Sequence, residues 1–278
     1  MKKLELATSS WDEREYKAIE NVISSGKFTM GQKTSEFERS FSQYIGSDYS
    51  IMVNSGSSAN LLAVAALFYK KNNPLKRGDE VIVPSVSWST SYYPLLQYGL
   101  KVKFVDIDAN TLNYDISALE RAISSKTRLI LIVNLLGNPN EFDEIFRLSR
   151  KYSLYTIEDN CESMGAKYKN KFTGTFSDIG TFSTYFSHHI STMEGGIIVT
   201  ENEELYQIMT SLRAHGWTRD LPKNNKIVNK NEENFYESFN FILPGYNLRP
   251  LEISAAVGVE QIKKLPEIIK SRRKNAKI

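Results

Sequence analysis

The sequence predicts an α/β fold with a mainly parallel sheet, and two observations carry that prediction. Short apolar runs alternate along the chain with longer amphipathic segments of helical period, the pattern of strand–helix–strand crossovers. The chemically loaded residues Trp88, Gly137, Asp159 and His188 fall in the loops just after such runs, where parallel sheets gather their ligands.

The elements follow in chain order. After the apolar Ile51-Met52-Val53 a helix is expected over Ser58–Phe68. Strands are expected at Glu80–Pro84 and Val102–Asp106, then a helix near Ile116–Ser124. Leu129–Asn134 is an unbroken apolar run with a polar end, which reads as a strand buried on both faces. A helix over Phe142–Tyr152 leads to strands at Leu154–Glu158, Gly180–Tyr185 and Ile197–Thr200, and a helix over Glu203–Arg213 follows. From Gly216 to Gly245 the chain turns polar and irregular, with Asn224, Asn225, Asn229, Asn231 and Asn234, and reads as a long surface excursion. Helical period returns from Pro250 to Arg273, with Ile253, Val257, Val259, Ile262 and Leu265 at apolar positions. Lys274-Asn275-Ala276 continues that pattern with no cap, glycine or proline, so the chain reads as cut rather than finished.

Composition excludes several classes. At 41% hydrophobic and 24% charged the chain is an ordinary globular protein, and a net charge of +3 is no nucleic-acid footprint. The basic stretch Lys270 to Lys277 reads as a solvated helix end. Cys161 is the single cysteine, so neither a disulfide framework nor a cysteine-ligated iron–sulfur cluster fits within one chain. Met1-Lys2-Lys3-Leu4-Glu5 lacks an apolar signal core, and no stretch is long enough to span a bilayer, so a cytoplasmic enzyme is expected.

Four segments carry chemistry. Asn54-Ser55-Gly56-Ser57-Ser58-Ala59-Asn60 opens a helix with a glycine and hydroxyls, donors suited to a phosphate; taken alone it reads as an ordinary capping turn. Trp88, in Ser85-Val86-Ser87-Trp88-Ser89-Thr90, can stack on a flat cofactor or pack at an edge, and the segment does not choose. In Glu158-Asp159-Asn160-Cys161-Glu162-Ser163 one carboxylate can face a pyridine nitrogen and keep it protonated. Asp159 is the choice for that role, with Glu158 pointing the other way. The chain's three histidines are His188, His189 and His215. Their spacing does not suit zinc, and no metal is expected. His189 reads as a satisfied buried histidine.

Ser55-Gly56-Ser57, Trp88, Glu158-Asp159, Ser183, Glu194-Gly195-Gly196 and Gly245-Tyr246-Asn247-Leu248-Arg249, taken in order, resemble the sugar aminotransferase family (DegT/DnrJ/EryC1/StrS) of fold-type I pyridoxal-phosphate (PLP) enzymes. The match runs over essentially the whole chain. In Ser187-His188-His189-Ile190 the histidine His188 stands where the family carries its Schiff-base lysine. The likeness is stronger still to members that use histidine there, through Glu158 to Gly165, Ser187 to Ile190 and Arg213-Ala214-His215-Gly216-Trp217-Thr218-Arg219. It implies a three-layer αβα large domain over residues 26–249, after an N-terminal segment (1–25), with a helix (250–278) leading into a small domain largely missing here.

The resemblance also implies roles. Gly56, Ser57 and Ser183 hold the cofactor phosphate, Trp88 stacks on the pyridine ring, and Asp159 pairs with its nitrogen. His188 is the acid/base, and Glu162 lies near the cofactor. Asn247 and Arg249 approach the cofactor of a neighbouring subunit, implying a homodimer, and His215 and Arg219 are candidate substrate contacts. Histidine forms no lasting imine but moves protons near neutrality. The resemblance implies as activity the removal of the C3 hydroxyl of a GDP-linked 4-keto-6-deoxyhexose. PLP is the cofactor, pyridoxamine phosphate its working form and glutamate the amino donor, in synthesis of a colitose-type 3,6-dideoxysugar for O-antigen. Alternatives are a dehydratase or aminotransferase acting on another nucleotide sugar, CDP- or dTDP-linked, or a truncated non-catalytic PLP-binding protein.

Overall fold

The computed structural model describes residues 7–277. Residues 1–6 of the N-terminal segment, and Ile278, lie outside the described residues. In chain order the first elements are α1 (Glu13–Ser25), α2 (Gln32–Ile45), β1 (Tyr49–Val53), α3 (Gly56–Phe68), β2 (Glu80–Pro84), α4 (Ser89–Gln97), β3 (Lys101–Val105), α5 (Ile116–Ala122) and β4 (Thr127–Val133). There follow α6 (Phe142–Tyr152), β5 (Tyr155–Asp159), the short pair β6 (Lys167–Tyr168) and β7 (Lys171–Phe172), β8 (Ile179–Ser183), β9 (Gly196–Thr200), α7 (Glu203–Arg213), α8 (Asn234–Ser238) and α9 (Glu252–Asn275).

Seven strands form one sheet in the order β1-β9-β8-β5-β4-β2-β3. β3, β2, β4, β5 and β8 pair in parallel, while β9 runs antiparallel to both β8 and β1. The expectation of a mainly parallel α/β sheet therefore holds, with one reversed strand. The reversal joins β8 to β9 by a hairpin instead of a crossover helix, and His188 sits in that hairpin.

The two-residue period of the strands sorts the core into layers. Leu129, Leu131, Val133 and Ile157 face α3 and α7 together with Ile51 and Val53. Ile130 and Ile132 face the opposite side, packing with Leu119, Phe142, Ile145 and Leu148 of α5 and α6. Met52, Ile197 and Val199 turn to Phe37 and Phe41 of α2 and to Ala255, Val259 and Leu265 of α9. The result is a three-layer αβα molecule.

Helices Phe142–Tyr152 and Glu203–Arg213 and strand Glu80–Pro84 fall where the sequence places them. Other bounds shift by no more than two residues, and the strand expected at Gly180–Tyr185 ends at Ser183. Seven of these elements went unread, the short β6, β7 and α8 among them. β1 is half polar by letter (Tyr-Ser-Ile-Met-Val), and α4 carries Pro94 within its run. α1 and α2 have negative mean hydropathy and bury only a narrow stripe, such as Phe37, Phe41 and Ile45. The 216–245 excursion is irregular apart from α8, yet it buries Thr218 and Leu221. Among the described residues no helix is long and apolar enough to cross a membrane.

Candidate active site

Strand alternation decides which carboxylate serves the cavity. Asp159 shares the face of Ile157 and so meets α3, whereas Glu158 turns to the other side. There Glu158, fully buried, accepts hydrogen bonds from the backbone N–H groups of Phe176 and Ser177 at 2.8 Å each and of Gly174. Burial pushes its carboxyl above the usual range, against the pull of those three donors.

Asp159, 5% exposed, lies on the floor of a cavity of about 520 Å³. Its Oδ2 accepts from Asn60 Nδ2 at 2.8 Å and Ser91 Oγ at 2.7 Å, and Oδ1 accepts from the Cys161 N–H at 3.1 Å. Asn60 is itself oriented by Thr181 Oγ1, which donates to its Oδ1 at 2.6 Å. Such a shell fixes the carboxylate before any ligand arrives.

One wall of the cavity is the N-terminus of α3. Ser55 caps it by accepting the Ser58 N–H at 3.0 Å, leaving the first-turn Gly56 and Ser57 facing the space. A Cβ at Gly56 would stand 2.7 Å from the Ser183 Cβ and 3.0 Å from the Cys161 Sγ, so this helix end approaches β8 only because the residue is glycine. Ser57 Oγ donates to Thr90 Oγ1 at 3.0 Å, and Ser183 Oγ accepts the Tyr185 N–H at 3.2 Å. Trp88 stands at the rim, 69% exposed, with its ring free to cover a flat ligand.

His188 closes the opposite side. Its hairpin is tied at the neck by Thr184 N–H to the Gly195 carbonyl at 2.9 Å, Thr192 N–H to the Thr184 carbonyl at 2.9 Å, and the Thr184 and Thr192 hydroxyls at 2.6 Å. Burial holds the His188 imidazole below its ordinary value; the carboxylates of Glu162 and Asp159 oppose that and Arg272 adds to it. That lowering favours the neutral imidazole, the state of a base. Glu162 borders the same cavity and accepts the Leu136 N–H at 3.1 Å.

Gly56, Ser57, Trp88, Asp159, Glu162, Ser183 and His188 are thus gathered in one cavity. Asn247, Arg249, His215 and Arg219 do not line it in this chain. Arg249 Nε donates to Asn247 Oδ1 at 3.0 Å, His215 packs edge-on against Trp217, and the Arg219 guanidinium lies 3.9 Å over the Trp217 ring. His189 corrects an expectation: its Nδ1 is buried with no hydrogen-bond partner, and burial pushes it down to about 4. Sequence reading missed Asn60, Thr90 and Ser91, which support the gathered set. Asn60 alone had a signal, closing the Asn54–Asn60 run one helical turn past Gly56.

A pyridoxal-phosphate group fits these residues. A helix N-terminus with hydroxyls lies at one end, a buried oriented carboxylate stands deeper, and an exposed indole sits at the rim. The sequence agrees. Residues 9–278 match the DegT/DnrJ/EryC1/StrS aminotransferase family, and the chain belongs to it. Within that family it is similar to GDP-4-keto-6-deoxy-D-mannose 3-dehydratase of Escherichia coli O55:H7, at 60% identity over 98% of this chain and 70% of that protein. It is 58% identical to the enzyme of the same name from Yersinia pseudotuberculosis, over 98% of this chain and 70% of that one. A crystal structure of GDP-4-keto-6-deoxymannose-3-dehydratase with a trapped PLP-glutamate geminal diamine superposes with a TM-score of 0.97 at 58% identity, covering 99% of this chain and 72% of that one.

Proposed function

We propose that this chain is a PLP- and glutamate-dependent dehydratase that removes the C3 hydroxyl of GDP-4-keto-6-deoxy-D-mannose. The observation that carries the reading is His188 on the wall facing Asp159 and the α3 N-terminus, in the position where the family resemblance expects lysine. Bound there, the cofactor supplies an amine for the substrate ketone and an electron sink for proton removal next to it. Gly56, Ser57 and Ser183 would hold its phosphate, Trp88 would cover its ring, and Asp159 would keep its nitrogen protonated. Kept neutral by burial, His188 takes a proton at the reacting carbon and returns it to the departing C3 oxygen. No lysine stands at the hairpin tip to displace the bound sugar, so it stays long enough for elimination.

We further infer that Asn247 and Arg249 serve the site of a second copy in a homodimer, and that His215 and Arg219 contact the sugar substrate. Supporting this, both Asn247 and Arg249 lie off their own chain's cavity, and the aromatics Phe235, Tyr236, Phe239 and Phe241 of the neighbouring excursion are all exposed. Residues 26–249 would form the cofactor-binding unit, braced by α1 and α9.

The decisive experiment incubates the protein with PLP, glutamate and GDP-4-keto-6-deoxy-D-mannose and weighs the sugar product. A product one oxygen lighter, with ammonia and 2-oxoglutarate released, supports the reading; an aminated sugar sinks it.

A further inference from the structure

The His188 hairpin is held from outside the sheet at three backbone atoms. Gln261 Oε1 accepts the Ser191 N–H at 3.0 Å, Trp11 Nε1 donates to the Ser191 carbonyl at 3.1 Å, and Arg272 Nη2 donates to the His188 carbonyl at 3.2 Å. Gln261 and Arg272 both belong to α9, eleven residues apart. At about 100° per residue that is within roughly 20° of three full turns, so one face of the helix reaches the hairpin at two points about 16 Å apart.

The Gln261 contact is built in. Its side chain is fully buried, and every polar atom is engaged. Oε1 also accepts the Ser10 hydroxyl at 2.6 Å, while Nε2 donates to Glu15 Oε1 at 2.8 Å and to the Ser10 carbonyl at 3.4 Å. Glu15, likewise fully buried, is paired with Lys264 Nζ at 2.6 Å and takes the Asp12 N–H at 2.8 Å. The amide satisfies this arrangement because it accepts toward the hairpin through Oε1 and donates toward a carboxylate through Nε2.

We propose that Gln261 and Trp11 are positioning residues for His188, clamping both sides of the Ser191 peptide so that the hairpin tip presents its imidazole to the cavity. The claim that this serves catalysis rests on the function proposed above; the geometric claim does not. A clamp that fixes the tip also sets how deeply the imidazole is buried beside Glu162, Asp159 and Arg272. Releasing it should therefore change the ring's titration.

The test uses the full chain, with and without PLP, in three forms: unaltered, Trp11→Phe and Gln261→Leu. Trp11→Phe keeps a ring and removes one donor, so it decides the matter if Gln261→Leu does not fold. With only three histidines, ring-proton NMR can follow His188, assigned by its loss in His188→Asn. The expected result is a His188 titration raised toward about 6.5 in both variants. The PLP affinity should stay within about twofold. In turnover, kcat should fall about fivefold for Trp11→Phe and about 10- to 100-fold for Gln261→Leu, with KM little changed. If His188 titrates as in the unaltered protein, or if PLP affinity falls in step with kcat, the clamp is general scaffolding and the proposal is overturned. If the unaltered protein turns over no sugar, the functional reading has failed instead, and the titration still decides the clamp.

Discussion

At the scale of single residues, His188 and His189 are adjacent and unlike. His188 borders the cavity, and its loss should remove proton transfer without removing the cofactor's anchors. His188→Asn is expected to lower kcat by about 10²- to 10⁴-fold while PLP, titrated by absorbance, binds as before. Because burial lowers its proton affinity, the acid limb of kcat/KM should lie below pH 6.5. His189 has a different consequence. Folded, it binds a proton only near pH 4; unfolded, near 6.5. As pH falls below 6.5 the unfolded chain takes up that proton first, so stability is full above 6.5 and drains between 6.5 and about 4. His189→Leu should flatten that decline by roughly 2–3 kcal/mol in urea unfolding compared at pH 7 and pH 4.5. The sequence made His188 legible through its motif, but it could not reveal that the neighbouring ring is left without a partner, because that depends on what packs against it.

At the scale of elements, the site is a meeting of helix end and strand end. Gly56 permits α3 to touch β8, and Gly56→Ala drives a methyl into Ser183. Overpacking of about 1–3 kcal/mol is expected there, read as at least a tenfold loss of PLP affinity with a smaller change in melting temperature. Glu158 stabilises the neighbouring turn, and Glu158→Gln, which leaves at least one of three buried N–H groups poorly met, should cost about 1–3 kcal/mol in denaturant unfolding. The strand alternation that separates Glu158 from Asp159 was readable from the letters, since it needs only a period of two. The support of Asp159 by Ser91 was not, for α4 itself was hidden by Pro94 and its polar first turn.

At the scale of the whole molecule, α9 is the member that ties α1 to α2. It packs on α2 through Ala255, Val259 and Leu265 and reaches α1 through Lys264 and Glu15. Leu265 is fully buried, and Leu265→Ala should destabilise the protein by about 2–5 kcal/mol, measured as a shift of the urea midpoint at unchanged slope. The period of α9 was plain in the sequence. Its face toward the His188 hairpin was not, because the contacts at Ser191 join residues 70 and 180 positions apart, and no local pattern signals pairings of that range.

The hairpin between β8 and β9 closes on its own neck. Thr184, Thr192 and Gly195 tie it through bonds that do not involve the side chain at position 188, and β9 pairs with β8 from Gly180 to Ser183. Framework and reagent are therefore separable variables in this molecule. An imidazole mounted there can move protons, whereas an amine on the same scaffold would also form an imine.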